Sequence, residues 1–340
     1  MKLGPIKLAL AILLLPTIAF AQLVKKDNTT DRNYFNEDGT MRIAIATQSQ
    51  RPGSGGGNNA LDGPEVMANG GIQDLLRSMN ATVRVSDAVL SEREQTEYGN
   101  WRKMGYANGR LADNVMQNEV DGYFTVGFLA SCPSSLGMLG GLQQSKTSTD
   151  TSSVSILWLD AHADYNTPET TRSGSMGGMP LAIANGLALH QVRRDSKVEP
   201  PLPANHIVTA GLRDVDPMEQ HLLDLARIQN ISVDDIRNLT QNVYDQMDAL
   251  SAVSDKIYVH IDLDILDASE MPYHNYPTEN GPTSHELAAL FKDIFQKYPK
   301  AAAIGFASIP TRDPDNIGLN AVNRMVVGAV EGIKIREGKM

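Results

Sequence analysis

Short apolar runs alternate with helix-like segments along most of this chain. Strands are predicted at residues 41–47, 82–85, 123–127, 154–159, 206–212, 257–261 and 302–307. Helices are predicted at 64–79, 101–120, 180–187, 217–229, 285–298 and 316–336. From residue 123 onward strand and helix follow one another, the order expected of an α/β fold built on a mainly parallel sheet with helices on both faces. Ligands of such sheets sit outside the carboxyl ends of the strands. Two segments break the pattern. Residues 22–40 are mostly polar and read as a loose N-terminal arm, and residues 48–59 form a Gly-rich loop that no helix would tolerate. That loop lacks the Gly-Lys-Ser/Thr ending of a phosphate loop. No repeat or linker follows residue 40, so 41–340 is read as one domain.

Two of the predicted strands run out into acid. Leu159 is followed by Asp160-Ala161-His162-Ala163-Asp164, and His260-Ile261 by Asp262-Leu263-Asp264. On an extended chain, residues two apart share a face, so Asp160, His162 and Asp164 are expected to project together, as are Asp262 and Asp264. Unpaired carboxylates are too costly to bury as a core. A pair of divalent cations would neutralise them, and two adjacent metals can share and ionise one water at neutral pH.

Composition narrows the classes without choosing among them. The 340 residues are 41% hydrophobic and 21% charged, and the formal net charge of −10 leaves no basic footprint for nucleic acid. Lys2 and Lys7, the apolar stretch 8–20 and Ala19-Phe20-Ala21 before Gln22 form a signal-peptide pattern over residues 1–21. The stretch is short for a bilayer span and Pro16 interrupts it. The expectation is cleavage near Ala21, with a secreted or periplasmic product that has no membrane segment afterwards. Cys132 is the one cysteine, so no intramolecular disulfide staples the core.

The segment Asp160-Ala161-His162-Ala163-Asp164-Tyr165-Asn166-Thr167-Pro168, continuing to Ser173-Gly174, resembles the arginase/agmatinase (ureohydrolase) superfamily. So do His260 to Asp267 and Gly211-Leu212-Arg213-Asp214-Val215-Asp216-Pro217, with Glu219 after it. The resemblance spans roughly residues 41–335 and implies a three-layer α/β/α sandwich, usually assembled as trimers or hexamers. It implies metal-dependent hydrolysis of a C–N bond in a guanidino or amidine small molecule, typically with two Mn²⁺ and a bridging hydroxide. On that resemblance Asp160 and Asp262 would bridge the ions. Asp164 would complete one shell and accept a hydrogen bond from the hydroxide, and His162 and Asp264 would complete the other. Asn166, Ser173 and Asp216 match positions that hold the substrate's amino and carboxylate groups.

Three departures matter. Cys132 falls where the family has its first His ligand, and a thiolate would favour Zn²⁺, Fe²⁺ or Ni²⁺ over Mn²⁺. Gly177 replaces a His thought to shuttle protons or orient substrate, and Ala307 replaces the Glu that grips the guanidinium. Together they argue against efficient arginine cleavage by the usual route. Glu169, the nearest spare carboxylate, is a candidate general base. His260 should point away from the metals as a core histidine, and His274 is read as a surface-loop residue. The alternative function is an arginase-fold binding protein that has lost catalysis. A deacetylase-like amide hydrolase is a weaker third reading.

Overall fold

The computed structural model describes residues 32–51, 62–145, 152–310 and 312–339. The leader expectation at 1–21 and the Gly-rich segment from residue 52 lie outside them. Eight parallel strands form one sheet: β1 (Met41–Gln48), β2 (Ala81–Asp87), β3 (Phe124–Leu129), β4 (Val154–Leu159), β5 (Ile207–Ala210), β6 (Gln229–Ile231), β7 (Lys256–Asp262) and β8 (Ala301–Ala307). Their order is β2-β1-β3-β8-β7-β4-β5-β6. Helices pack on both faces, so β1, β3, β4, β7 and β8 are buried almost throughout. This is the expected environment of parallel strands. Apolar clusters lie on each side, one with Phe291, Phe295 and Val326 and the other with Leu111, Leu136 and Ile183.

The chain runs outward from β1 to β2, returns to β3, then crosses to β4 and leaves a gap that β7 and β8 fill last. Four strand ends from distant parts of the sequence therefore stand side by side. β8 is Ala- and Gly-rich, and Gly305 is required there: a Cβ would lie 2.3 Å from the Tyr258 hydroxyl of β7.

The predicted strands all occur, and β4 has the predicted limits. The helix expected at 64–79 is divided into Asp62–Asn69 and Ile72–Ser78 at the Gly70-Gly71 pair, Gly71 taking φ +88°. The helix expected to reach residue 229 ends at Ala226, where Arg227 turns left-handed, and β6 follows. The described part of the arm is not loose. Tyr34 and Phe35 are buried, and Arg32 pairs with Glu119 at 2.7 Å.

Candidate metal centre

Each acidic motif makes its own turn. The Asp160 carboxylate accepts the His162 backbone N–H at 2.7 Å, and the Asp262 carboxylate accepts that of Asp264 at 3.1 Å. An Asp that hydrogen-bonds the backbone two residues on closes an Asx turn. β4 ends at Leu159, and Asp164 lies at φ +50°. The side chains thus converge through turns at the strand ends, not through the extended alternation expected from the sequence. The motifs then lock to each other. Asp264 accepts the Ala161 N–H at 3.2 Å, and His162 Nδ1 lies 3.2 Å from Asp264 and 3.5 Å from Asp160.

Three sets of ligand atoms lie within 4.8 Å of one another: Cys132, Asp160 and Asp262; Asp160, His162 and Asp264; and Asp262, Asp264 and His274. Cys132 comes from the turn after β3, Asp160 and His162 from the end of β4, and Asp262 and Asp264 from the end of β7. Ser308, just past β8, donates to Asp262 at 2.6 Å and lies 3.8 Å from the Cys132 sulfur. Behind this layer the Trp158 indole N–H donates to Asp160 at 3.1 Å, and its ring stacks on His260 at 3.9 Å.

Electrostatics show what the cluster is suited to hold. Burial, then repulsion from neighbouring carboxylates, pushes Asp160, Asp164 and Asp262 above the usual range. Burial and the same carboxylates push the Cys132 thiol up. Burial works against charging His162, yet hydrogen bonds to Asp160 and Asp264 push it up to about 12. Buried acids that repel one another are what bound cations relieve. Oxygen, nitrogen and sulfur donors at this spacing fit divalent ions.

The cluster opens into a cavity of about 460 Å³. Asp164 lines it but belongs to none of the three close sets. Asn166, Ser173 and Asp216 line it as well. Asp216 also begins the helix Pro217–Ala226 in a capping box with Glu219, whose buried carboxylate takes the Tyr165 N–H at 2.7 Å. Glu169 is exposed and lies outside the cavity lining. His260 is the core histidine expected: burial pushes its pKa down to about 3, and it pairs with the Tyr258 hydroxyl. His274 is not a surface residue. Its side chain is 2% exposed, and Nε2 lies 3.6 Å from Asp262.

Sequence reasoning also passed over Ser308 and Arg51. The rule that a strand's carboxyl end faces the site would have found both had it been applied to β1 and β8, whose ends Arg51 and Ser308 follow.

Comparison with known proteins agrees with this geometry. The sequence model of the Arginase family matches residues 134–328, more than half of the chain. The hepatic arginase of Aquarana catesbeiana is 29% identical over 291 residues, covering 82% of this chain and 82% of that protein. Mitochondrial arginase-2 of Homo sapiens is 33% identical over 201 residues, covering 57% of this chain and 55% of that protein. Among solved structures, arginase from Bacillus cereus superposes with a TM-score of 0.74 at 20% identity, covering 86% of this chain and 98% of that one. Formimidoylglutamase from Bacillus subtilis does so at 0.65 and 16%, covering 94% and 97%. At these identities the solved structures show the shared fold.

Proposed function

The chain belongs to the arginase family, and from that premise we propose that it hydrolyses a C–N bond in a small guanidino or amidine compound other than arginine. The observation that carries the reading is the meeting of Cys132, Asp160, His162, Asp262 and Asp264 at the ends of three strands, under one cavity. Two divalent cations held there would supply Lewis-acid polarisation and a nucleophilic oxygen source at neutral pH.

The chain's own groups do the rest. Asp160 and Asp262 are each shared between two of the three ligand sets and are suited to bridging. Ser308 and Trp158 fix the rotation of those two carboxylates. Asp164, buried with its pKa raised by burial and by Asp262, accepts a proton at a carboxylate oxygen. Asn166, Ser173 and Asp216 orient the distal polar groups of the substrate from the cavity wall. Gly177 and Ala307 leave the positions of the family's His and Glu without a functional side chain, so proton movement and substrate grip rest on other groups. Sulfur in the first set favours Zn²⁺, Fe²⁺ or Ni²⁺ over Mn²⁺. The leader pattern supports activity outside the cytoplasm. Among the described residues no helix is long and apolar enough to cross a membrane.

The test is turnover by purified protein loaded separately with Mn²⁺, Zn²⁺, Fe²⁺ and Ni²⁺, on a panel of guanidino and amidine compounds. Release of urea, ammonia or amine that is lost in Asp264→Ala is the expected result. No product with any metal would leave the binding-protein alternative.

A further inference from the structure

The loop beyond β7 is anchored at several points, yet it leaves one aromatic ring in the cavity. Met271 and His274 are buried, and the His274 backbone N–H donates to the Met271 carbonyl at 3.0 Å. Arg213 Nη2 donates to the Thr278 carbonyl at 3.1 Å. Between these anchors Tyr276 is pinned at both of its backbone groups. Its N–H donates to His274 Nδ1 at 3.2 Å, and its carbonyl accepts the Thr278 hydroxyl at 3.2 Å. The same imidazole faces Asp262 through Nε2 at 3.6 Å. One buried ring therefore ties the position of Tyr276 to the candidate metal centre.

The exposure of Tyr276 does not come from a slack chain. The residue is 70% exposed and lines the cavity, where it is the one Phe, Tyr or Trp among the described residues. Its ring centroid lies 6.5 Å from that of His162, with the two planes at 81°. A flat small molecule over the metal centre is within reach of that ring. Asp214, 3.7 Å from His162 Nε2, adds a side chain 73% exposed to the same wall. The other acids of the lining are engaged. Asp164, Asp262 and Asp264 belong with the candidate metal centre, Glu219 holds backbone N–H groups, and Asp216 faces Arg172 at 3.5 Å. The face of an aromatic ring is negative and attracts a cation. Such a ring near an uncommitted carboxylate is a seat for a planar cation.

We propose that Tyr276 is a specificity-determining residue whose ring takes the flat cationic head of the substrate, a guanidinium or amidinium group, by cation–π contact. The proposal rests on the hydrolase reading for the place of the reacting group, but its claim concerns binding. The full chain, carrying the metal it retains on purification, is titrated calorimetrically with methylguanidine and acetamidine. Their uncharged counterparts, methylurea and acetamide, are titrated beside them. Metal content and product release are measured on the same samples.

The cations are expected to bind more tightly than their uncharged counterparts. Tyr276→Phe keeps the preference, and Tyr276→Leu lowers it about fivefold or more while binding of the uncharged pair changes little. A ring that only shaped the cavity would shift both classes together in Tyr276→Leu, which overturns the proposal. A preference that survives Tyr276→Leu in full does the same, since the acids alone would then select the charge. So does a preference lost equally in Tyr276→Phe, or no binding of the cations at all. Ring-dependent cation binding without turnover upholds Tyr276 and counts against the hydrolase. Turnover with a preference indifferent to Tyr276→Leu does the reverse.

Discussion

The Cys132 thiol and the Asp262 carboxylate are hydrogen-bonded although their strands, β3 and β7, are not neighbours. β8 lies between them, and its following residue, Ser308, reaches Asp262 as well. On the proposed reading, a sulfur donor joined to a carboxylate shared by two of the candidate ligand sets would govern metal choice. Cys132→Ser is expected to lower affinity for Zn²⁺ about tenfold or more and to affect Mn²⁺ less. In Co²⁺-loaded protein the sulfur-to-cobalt charge-transfer band should vanish with the same substitution. An unchanged spectrum would remove Cys132 from the ligand set.

Asp264 takes part in two of the three ligand sets and pairs with His162. Elemental analysis of Asp264→Ala should show loss of at least one of two bound ions, with turnover abolished. Full metal content with normal turnover would contradict its assignment.

Trp158 acts through Asp160. Replacing it with Phe keeps a ring over His260 and deletes the N–H that Asp160 accepts. Partners that orient ligands contribute about ten- to a hundredfold to metal affinity. Trp158→Phe should therefore weaken metal binding by about that factor while the unfolding transition of the metal-free protein stays cooperative.

Far from the site, Glu119 pairs with Arg32 at 2.7 Å and with Lys256 at 3.3 Å, all three side chains being 10% exposed or less. Glu119→Gln would take the shared carboxylate away from two buried cations. Removing one partner of a buried pair destabilises by about 3–5 kcal/mol, measurable by chemical denaturation. Adding Lys256→Met should recover part of the loss.

Asp235 begins the helix Val233–Asn238 with Ser232, and its carboxylate also takes the hydroxyl of Thr240 and the amide of Asn242. The Thr240 bond leads these effects, and together they lower its pKa from 3.8 to about 2. The folded state therefore holds the proton more weakly than the unfolded chain. The carboxylate's stabilisation is complete above about pH 4 to 5 and is lost as pH falls toward 2. Asp235→Asn should be less stable than the parent near neutrality, with the gap closing in acid. A gap independent of pH would show that the charge plays no part.

The sheet was legible because its strands are apolar runs set off by turns, and two of those runs end in Asp-x-His-x-Asp and Asp-x-Asp. Other elements had no such signal. Helix Ser135–Gln144 is buried nearly all round and contains Gly137, Gly140 and Gly141, so it shows neither a polar face nor a good helix-forming composition. β6 is three residues long, and two of the three are exposed. His274 lies in a polar stretch with the sequence of a surface loop, and only the packing of that loop over β7 buries it. Glu169 is five residues from Asp164 yet is exposed to solvent, on a turn that the Thr170 hydroxyl closes on Asn166 at 2.9 Å. Proximity in sequence located the motif but not the direction of each side chain within it.

The final strand has a consequence for how the protein matures. β8 is last in sequence yet sits between β3 and β7, so the contact between Cys132 and Asp262 is made across a strand that the chain's far end supplies. A polypeptide ending before residue 301 would own every candidate ligand without the strand that stands between β3 and β7. On the proposed reading, uptake of metal would then report on the completeness of the sheet, since the candidate ligands meet around a strand supplied by the far end of the chain.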